Sequence, residues 1–286
     1  MNTYDIDYLK LIENIMINGT NKDDRTGIGT RSLTGTMIKH NMNNGFPALT
    51  TKKLFFNTMA TELEGFLKGI TSKQWFKDHG CNIWNNWCRP DIIPKGLSNL
   101  ERIEFQRKND DLGPIYGAQW NKKNKDGYSQ IDHILNELRH NPISRRMVVS
   151  AWNHNERKTM ALEPCHVLWQ VVTRDNYLDL VFYMRSVDTF IGMPFDIASY
   201  GLLLSLLAKQ FNYIPGILTG FFADTHIYNN HFDQVQEQVN RFDKIKPLPN
   251  LDINRSFYNI KDFNAQKDVS LFNYLYEPAI KAEVAI

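Results

Sequence analysis

Val167-Leu168-Trp169-Gln170-Val171-Val172-Thr173-Arg174-Asp175-Asn176-Tyr177-Leu178-Asp179-Leu180-Val181-Phe182-Tyr183-Met184 is the stretch on which the architecture turns. Val167–Thr173 and Tyr177–Met184 are short runs of β-branched and aromatic residues. Arg174-Asp175-Asn176 between them is a hairpin signal. Downstream, Ile197–Gln210 reads as a long apolar helix, Ile217–Tyr228 as a strand and Asn229–Arg241 as a helix. Upstream, Met147–Trp152 reads as a strand. A helix carries Ile131, Ile134, Leu135 and Leu138 and stops at Asn141-Pro142. A further helix is expected from about Phe55 to Lys68, ending at Gly69. An N-terminal helix through Tyr8-Leu9, Leu11-Ile12 and Ile15-Met16 stops at Asn18-Gly19. Asp23–Thr30 is a loop by composition. The stretch from Cys88 to Asp111 is polar, is broken by Pro90 and Pro94, and reads as an excursion from the main body. Because the order is mixed rather than a regular β-α alternation, an α+β or mixed α/β sheet is expected.

Bulk properties narrow the function. The chain has 286 residues and a formal net charge of +2. That argues against a general nucleic-acid or membrane-surface binder while leaving room for a local basic pocket. No apolar run is long enough to span a bilayer. Met1-Asn2-Thr3-Tyr4-Asp5 lacks the basic-then-apolar pattern of a signal peptide. Cys81, Cys88 and Cys165 are an odd, sparse set that fits a reducing cytosol and cannot make a four-thiolate zinc site. No metal is expected. With no repeat or linker, residues 1–286 are expected to form one domain.

Several residues stand out chemically. Cys165 follows Pro164, lies beside His166 and opens a strand, with Arg145, Arg146 and Arg185 available to lower its pKa. His154-Asn155-Glu156 followed by Pro164-Cys165 imitates the zinc-deaminase signature. Leu168 stands where its last cysteine belongs, so that reading fails. Arg25, Arg145, Arg146 and Arg185 lie at element ends and, with Ser186, suit a dianion cradle. His226 and Tyr228 are two apart in a strand, so both face one side. Glu62 shares an apolar helical stripe with Met59 and Phe66, which should raise its pKa if buried. Glu64 is expected to point elsewhere, into solvent.

Pro164-Cys165-His166, the run from Arg185 to Tyr200, Asp224-Thr225-His226-Ile227-Tyr228, Ile83-Trp84-Asn85-Asn86-Trp87 and Leu112-Gly113-Pro114-Ile115-Tyr116-Gly117 together resemble the thymidylate synthase and deoxycytidylate hydroxymethylase superfamily. The resemblance runs from about Asp24 to Ile286, with a divergent insertion near 88–111. It implies a large mixed β-sheet with surrounding helices, a sheet-to-sheet homodimer, and one-carbon transfer to a pyrimidine deoxynucleotide from 5,10-methylenetetrahydrofolate. By the same resemblance Cys165, with His166 beside it, attacks C6. Glu62 relays protons through water, and Tyr116 orders water near the C5 proton. Arg25, Arg185 and Ser186 hold the 5′-phosphate, joined across the dimer by Arg145 and Arg146. His226 and Tyr228 bind the 3′-hydroxyl. Ile83, Trp84, Trp87, Gly192 and Phe195 wall the folate, Asp188 binds its pterin ring and Lys52 its glutamate tail. Ala285 belongs to a C-terminal segment that closes over the ligands. Neither membrane nor nucleic acid is an expected partner, and the location is expected to be cytoplasmic.

Three departures matter. Met184 stands where a Gln usually precedes the Arg-Ser pair, Glu283 stands where the tail has Pro, and Asp196 stands where an Asn reads the base. Asn complements the N3–H and O4 of uracil, whereas cytosine offers the reverse pattern. A protonated Asp can donate to cytosine N3 while accepting from N4–H, and hydroxymethylases of the superfamily also carry Asp there. It can also imitate Asn toward uracil, and Asp196 directly before Ile197 would serve as a helix N-cap. The expectation is methylation of deoxycytidylate in preference to deoxyuridylate. The alternatives are deoxycytidylate hydroxymethylation and ordinary thymidylate synthesis. A modified cytosine would fit a virus that marks its DNA.

Overall fold

The computed structural model describes residues 2–284. Six strands, β1 (Thr20–Lys22), β2 (Thr30–Asn41), β3 (Val148–Ser150), β4 (His166–Arg174), β5 (Tyr177–Asp188) and β6 (Ile214–Tyr228), form one sheet in the order β1-β2-β6-β5-β4-β3. All neighbours are antiparallel except β5 and β6. A parallel pair needs a crossover. Among the described residues nine α-helices accompany the sheet: α1 (Thr3–Asn18), α2 (Phe56–Lys68), α3 (Lys73–Asp78), α4 (Asn99–Lys108), α5 (Tyr116–Trp120), α6 (Gln130–His140), α7 (Gly192–Phe211), α8 (Phe232–Val239) and the single turn α9 (Ala265–Asp268). The crossover is α7, whose residues from Ile197 to Ala208 are nearly all buried. A two-stranded ribbon, β7 (Asn250–Ile253) with β8 (Val269–Phe272), stands apart from the main sheet.

Alternation along β5 sends Leu178, Leu180, Phe182 and Met184 into the core beneath α7. On the opposite face Met37, Phe221 and Tyr183 lie directly across from one another on β2, β6 and β5, and all three are more than a third exposed. No helix covers this row among the described residues. A register shift between His166 and Leu168 marks a bulge at the start of β4. Bulges re-aim side chains beside functional sites, and this one follows Cys165 immediately.

Several boundaries correct the sequence reading. α7 starts at Gly192, so Asp196 lies inside the helix and cannot be its N-cap, a position held by Ile191 without a side-chain bond. β2 was not expected. It alternates buried and exposed residues only loosely, and its partner β6 supplies the missing order. Glu64 is buried rather than solvated: it accepts from Ala265 N–H at 2.8 Å and pairs with Lys68 one turn on. The 88–111 segment is no loose excursion. It contains α4, opened by a Ser98–Glu101 capping box, and is pinned at its base where Arg89 N–H donates to Asp111 O at 2.8 Å.

Candidate active site

The centre is built where the end of β5, the start of β4, α2, α5 and the first turns of α7 converge. Cys165 lies half-buried in the turn entering β4. Its N–H donates to Tyr116 Oη at 3.0 Å, and its C=O accepts from Arg185 N–H at 2.9 Å. The Arg185 side chain clamps the same turn, with Nε on Pro164 O at 2.8 Å, Nη2 on Glu163 O at 2.7 Å and Nη2 also 3.9 Å from Cys165 Sγ. The thiol is therefore fixed from three sides before any ligand arrives. Burial raises its pKa, and the Arg185 and Arg25 charges only partly offset this. Of the three arginines that the sequence offered, Arg185 acts in the expected direction, while Arg145 and Arg146 of this protomer do not contribute. Arg25 does, and burial outweighs them.

His166 stacks on Tyr116 with ring centroids 4.0 Å apart and shares a 2.9 Å hydrogen bond with Tyr200 Oη. Burial lowers its pKa to about 3, so the ring is neutral at ordinary pH. It holds Tyr116 in place rather than forming an ion pair with the thiolate. Tyr200 was missed from sequence, although it lies four residues after Asp196 on the same helix face.

Glu62 lies on the stripe with Met59 and Phe66, as its spacing implied, and is nearly enclosed. Trp84 Nε1 donates to its Oε1 at 3.0 Å. Burial lifts its pKa to about 7 against the pull of that bond. A carboxyl near half-protonation at neutral pH suits proton transfer in either direction. Trp84 is buried and its ring lies 6.1 Å from that of Tyr116, so the tryptophan both walls the site and aims the acid.

Asp196 faces this group from α7. Its carboxyl accepts no hydrogen bond from any described residue. Burial, with the Glu62 and Asp188 carboxylates nearby, holds its pKa well above the usual range. Three carboxyls crowding one centre cannot all ionise cheaply, so the Asp196 carboxyl is biased toward its protonated form. Gly192 sits between two of these acids: a Cβ there would lie 3.6 Å from Asp196 Oδ2 and 3.8 Å from Asp188 Cβ. Asp188 already has one oxygen engaged, since Oδ1 accepts from Phe190 and Ile191 N–H at 3.0 and 3.2 Å.

His226 and Tyr228 do face one side of β6, ring centroids 5.1 Å apart, with His226 Nδ1 3.1 Å from Asp224 Oδ1. Burial, then Asp188 and Asp24, pushes the Tyr228 hydroxyl up to about 12. Ser186 pairs in register with Asp224 beside them. Arg25 and Arg185 line a cleft of about 960 Å³ together with Trp87. Arg145 and Arg146 are exposed before β3 and do not line that cleft, so this protomer alone does not gather all four arginines. Lys52 and Phe195 line a second cleft of about 820 Å³, walled on one side by the chain from Ala279 to Val284. The Lys52 ammonium turns inward, donating to Phe190 O and lying 3.6 Å from the centre of that ring. Burial brings its pKa down to about 7, opposed by Asp188. Ile83 is 40% exposed and lines neither of these two clefts. The C-terminal segment is seated by Arg241 Nη1 on Pro278 O at 2.6 Å and by His231 Nε2, 2.7 Å from Glu283 O. Ala285 lies outside the described residues. No helix among the described residues is long and apolar enough to cross a membrane.

A half-buried thiol, a buried acid beside tryptophan, a histidine–tyrosine pair on β6 and a basic cleft suit a transferase that works by covalent chemistry on an anionic substrate. The family model for thymidylate synthase matches residues 6–286. A thymidylate synthase of Mycoplasma mobile is 41% identical over 290 residues, covering 98% of this chain and 99% of its own length. Thymidylate synthases of Coxiella burnetii strains are 41% identical over 283 residues, with coverage of 98% and 99%. The chain belongs to the thymidylate synthase family. It is accordingly a folate-dependent methyltransferase acting at C5 of a pyrimidine nucleotide, with methylenetetrahydrofolate as co-substrate.

Proposed function

We propose that the preferred substrate is deoxycytidylate and the product 5-methyldeoxycytidylate. The observation that carries this is the Asp196 carboxyl at the base-reading position, without a hydrogen-bond partner among the described residues and held toward its protonated form by burial and the neighbouring Glu62 and Asp188 carboxylates. The loss of the helix-cap role leaves the carboxyl available to a ligand. Its proton is donated to cytosine N3 while its other oxygen accepts from N4–H. N3 is basic, so this proton can be shared along the bond, whereas uracil O4 is a much weaker base and must be served by the intact acid. Proton sharing also draws charge from the ring and makes C6 more electrophilic.

Cys165 thiolate adds to C6, and the C5 carbanion equivalent attacks the methylene of the folate. Loss of the C5 proton, through water near Tyr116 and Glu62, expels tetrahydrofolate and leaves an exocyclic methylene. Hydride from the folate completes the methyl group, restores the C5–C6 double bond by expelling the Cys165 thiolate from C6, and yields dihydrofolate. Water in its place would give hydroxymethyl. Buried Trp84 and the seated C-terminal segment support the methyl outcome by excluding water.

Arg145 and Arg146 reach the phosphate of a second protomer in this reading. The exposed Met37–Phe221–Tyr183 row supplies the face for a sheet-to-sheet homodimer. A second reading, thymidylate formation from deoxyuridylate, is favoured by the name shared by the relatives. Incubation with methylenetetrahydrofolate and each nucleotide, with products identified by mass, separates them. A one-methyl gain on deoxycytidylate supports the proposal. Turnover of deoxyuridylate alone rejects it, and a hydroxymethyl product rejects only the dry-site half.

A further inference from the structure

The cleft that contains Arg25 and Arg185 extends well past them. Its charged lining is Arg25, Arg102, Arg157, Lys158 and Arg185 against one carboxylate, Glu163. Arg102 comes from α4 in the 88–111 segment, while Arg157 and Lys158 precede the Cys165 turn. At about 960 Å³ the space falls in the range of roughly 300–1,000 Å³ that encloses whole small ligands, far more than one phosphate group fills.

The cations are not equally available. Arg157 is paired with Glu163 at 2.7 Å. Arg185 has Nε and Nη2 committed to the Cys165 turn. Two other bases of the 88–111 segment are neutralised at home, Arg89 by Asp91 and Asp111 and Lys108 by Glu104, while Arg107 donates to the neutral Asn86 Oδ1 and does not line the cleft. Arg102 and Lys158 have no acidic partner among the described residues, and both line the cleft. In a chain of net charge +2, five cations in one concave space, of which only Arg157 is ion-paired among the described residues, raise the local concentration of anions strongly.

We propose that Arg102 and Lys158 form a subsite for a second phosphate, so that this cleft takes the phosphate chain of a pyrimidine nucleoside 5′-diphosphate as well as a 5′-monophosphate. The inference rests on the nucleotide reading above and on the first phosphate lying at Arg25 and Arg185. It is independent of which base is preferred. Charge-assisted bonds from two cations that would otherwise face water make the longer chain the tighter ligand, and the 88–111 segment acquires a function as one wall of this subsite.

The test is calorimetric titration of the full chain with the mono- and diphosphates of deoxycytidine and of deoxyuridine, and with inorganic pyrophosphate. For the better base, the diphosphate is expected to bind on the order of tenfold tighter than the monophosphate. Pyrophosphate alone should bind far more weakly than either. An Arg102→Gln, Lys158→Gln double variant should lose the diphosphate advantage and keep the monophosphate affinity. Diphosphate binding no tighter than monophosphate, or an advantage that survives the double substitution, overturns the subsite. So does pyrophosphate binding as tightly as the nucleoside diphosphate, because the cleft would then be an independent anion site. Failure of both monophosphates to bind would strike the nucleotide reading itself.

Discussion

At the scale of single residues, the centre consists of acids whose protonation the fold has set. Glu62 has a raised folded pKa of about 7, so the folded state holds a proton that the unfolded chain releases near its ordinary value. Stability contributed by this proton is complete at low pH and is lost as pH rises from the unfolded value through about 7. The loss is at most about 3 kcal/mol. Glu62→Gln should therefore be more stable than the parent at pH 8 and near-equal at pH 4 in chemical denaturation. Its turnover should fall roughly 10²–10⁴-fold. Equal stability difference at both pH values would show that Glu62 is not held protonated. Asp196 follows the same sign. If deoxycytidylate is the substrate, as proposed, and the Asp196 proton serves N3, kcat/KM for it should decline as pH rises through that raised pKa. Asp196→Asn should remove that decline and move base preference toward deoxyuridylate by roughly 10²-fold or more. A variant with unchanged preference would assign the reading of the base to other groups. Much of this centre was visible in residue types and spacing. Glu62 was legible because helical periodicity is local, whereas the Trp84 bond to it and the Tyr200 bond to His166 join residues far apart in sequence.

At the scale of elements, close backbone approach and one buried cation fix the walls. α5 lies against α2 so tightly that a Cβ on Gly117 would fall 2.2 Å from Phe66 O and 2.4 Å from its Cα. Backbone cannot yield as a side-chain tip can. Gly117→Ala should therefore push α5 outward, carry Tyr116 off the Cys165 N–H and cost roughly 1–3 kcal/mol. Activity should fall more than stability does, and a fully active variant would show that Tyr116 is not needed where it sits. Lys73, buried at the start of α3, donates to Trp87 O at 3.0 Å, Asn85 O at 3.4 Å and Gln106 O. It ties the tryptophan turn to α4. Lys73→Met leaves those carbonyls buried without a donor, at a cost of about 1–3 kcal/mol each in the worst case. A lower Tm and faster proteolysis within 88–111 are expected, and unchanged cleavage would mean that the segment holds itself. This latch adds to the Arg89–Asp111 closure and the Ser98–Glu101 capping box, and it comes from a lysine outside the segment, which is why part of the order of 88–111 was not visible in its own sequence. The helix boundaries set by Gly19, Gly69 and Asn141-Pro142 were legible because caps are local signals. β2 was not, because its order is supplied by β6, nearly two hundred residues away.

At the scale of the whole molecule, two features of one protomer are left incomplete by the same omission. The sheet presents Met37, Phe221 and Tyr183 outward, and the exposed arginine pair before β3 does not line its own basic cleft. A two-fold partner placed sheet to sheet would cover the first and bring the second to a phosphate, since an isologous contact exchanges identical surfaces. Phe221→Lys should then separate the protomers in sedimentation at micromolar concentration and abolish turnover, although residue 221 touches neither cleft. A sharper test uses two inactive proteins. Cys165→Ser lacks the thiol, and an Arg145→Ala, Arg146→Ala variant lacks the arginines. If each site takes its thiol from one chain and its arginines from the other, a mixed dimer contains one site with both defects and one with neither. Unfolding and refolding the two together in equal amounts should recover about a quarter of the parental activity, because half of the dimers are mixed and each has one intact site. Recovery of none would place the thiol and the arginines on the same chain, and the cross-subunit grip would have to be abandoned even if the dimer itself persisted.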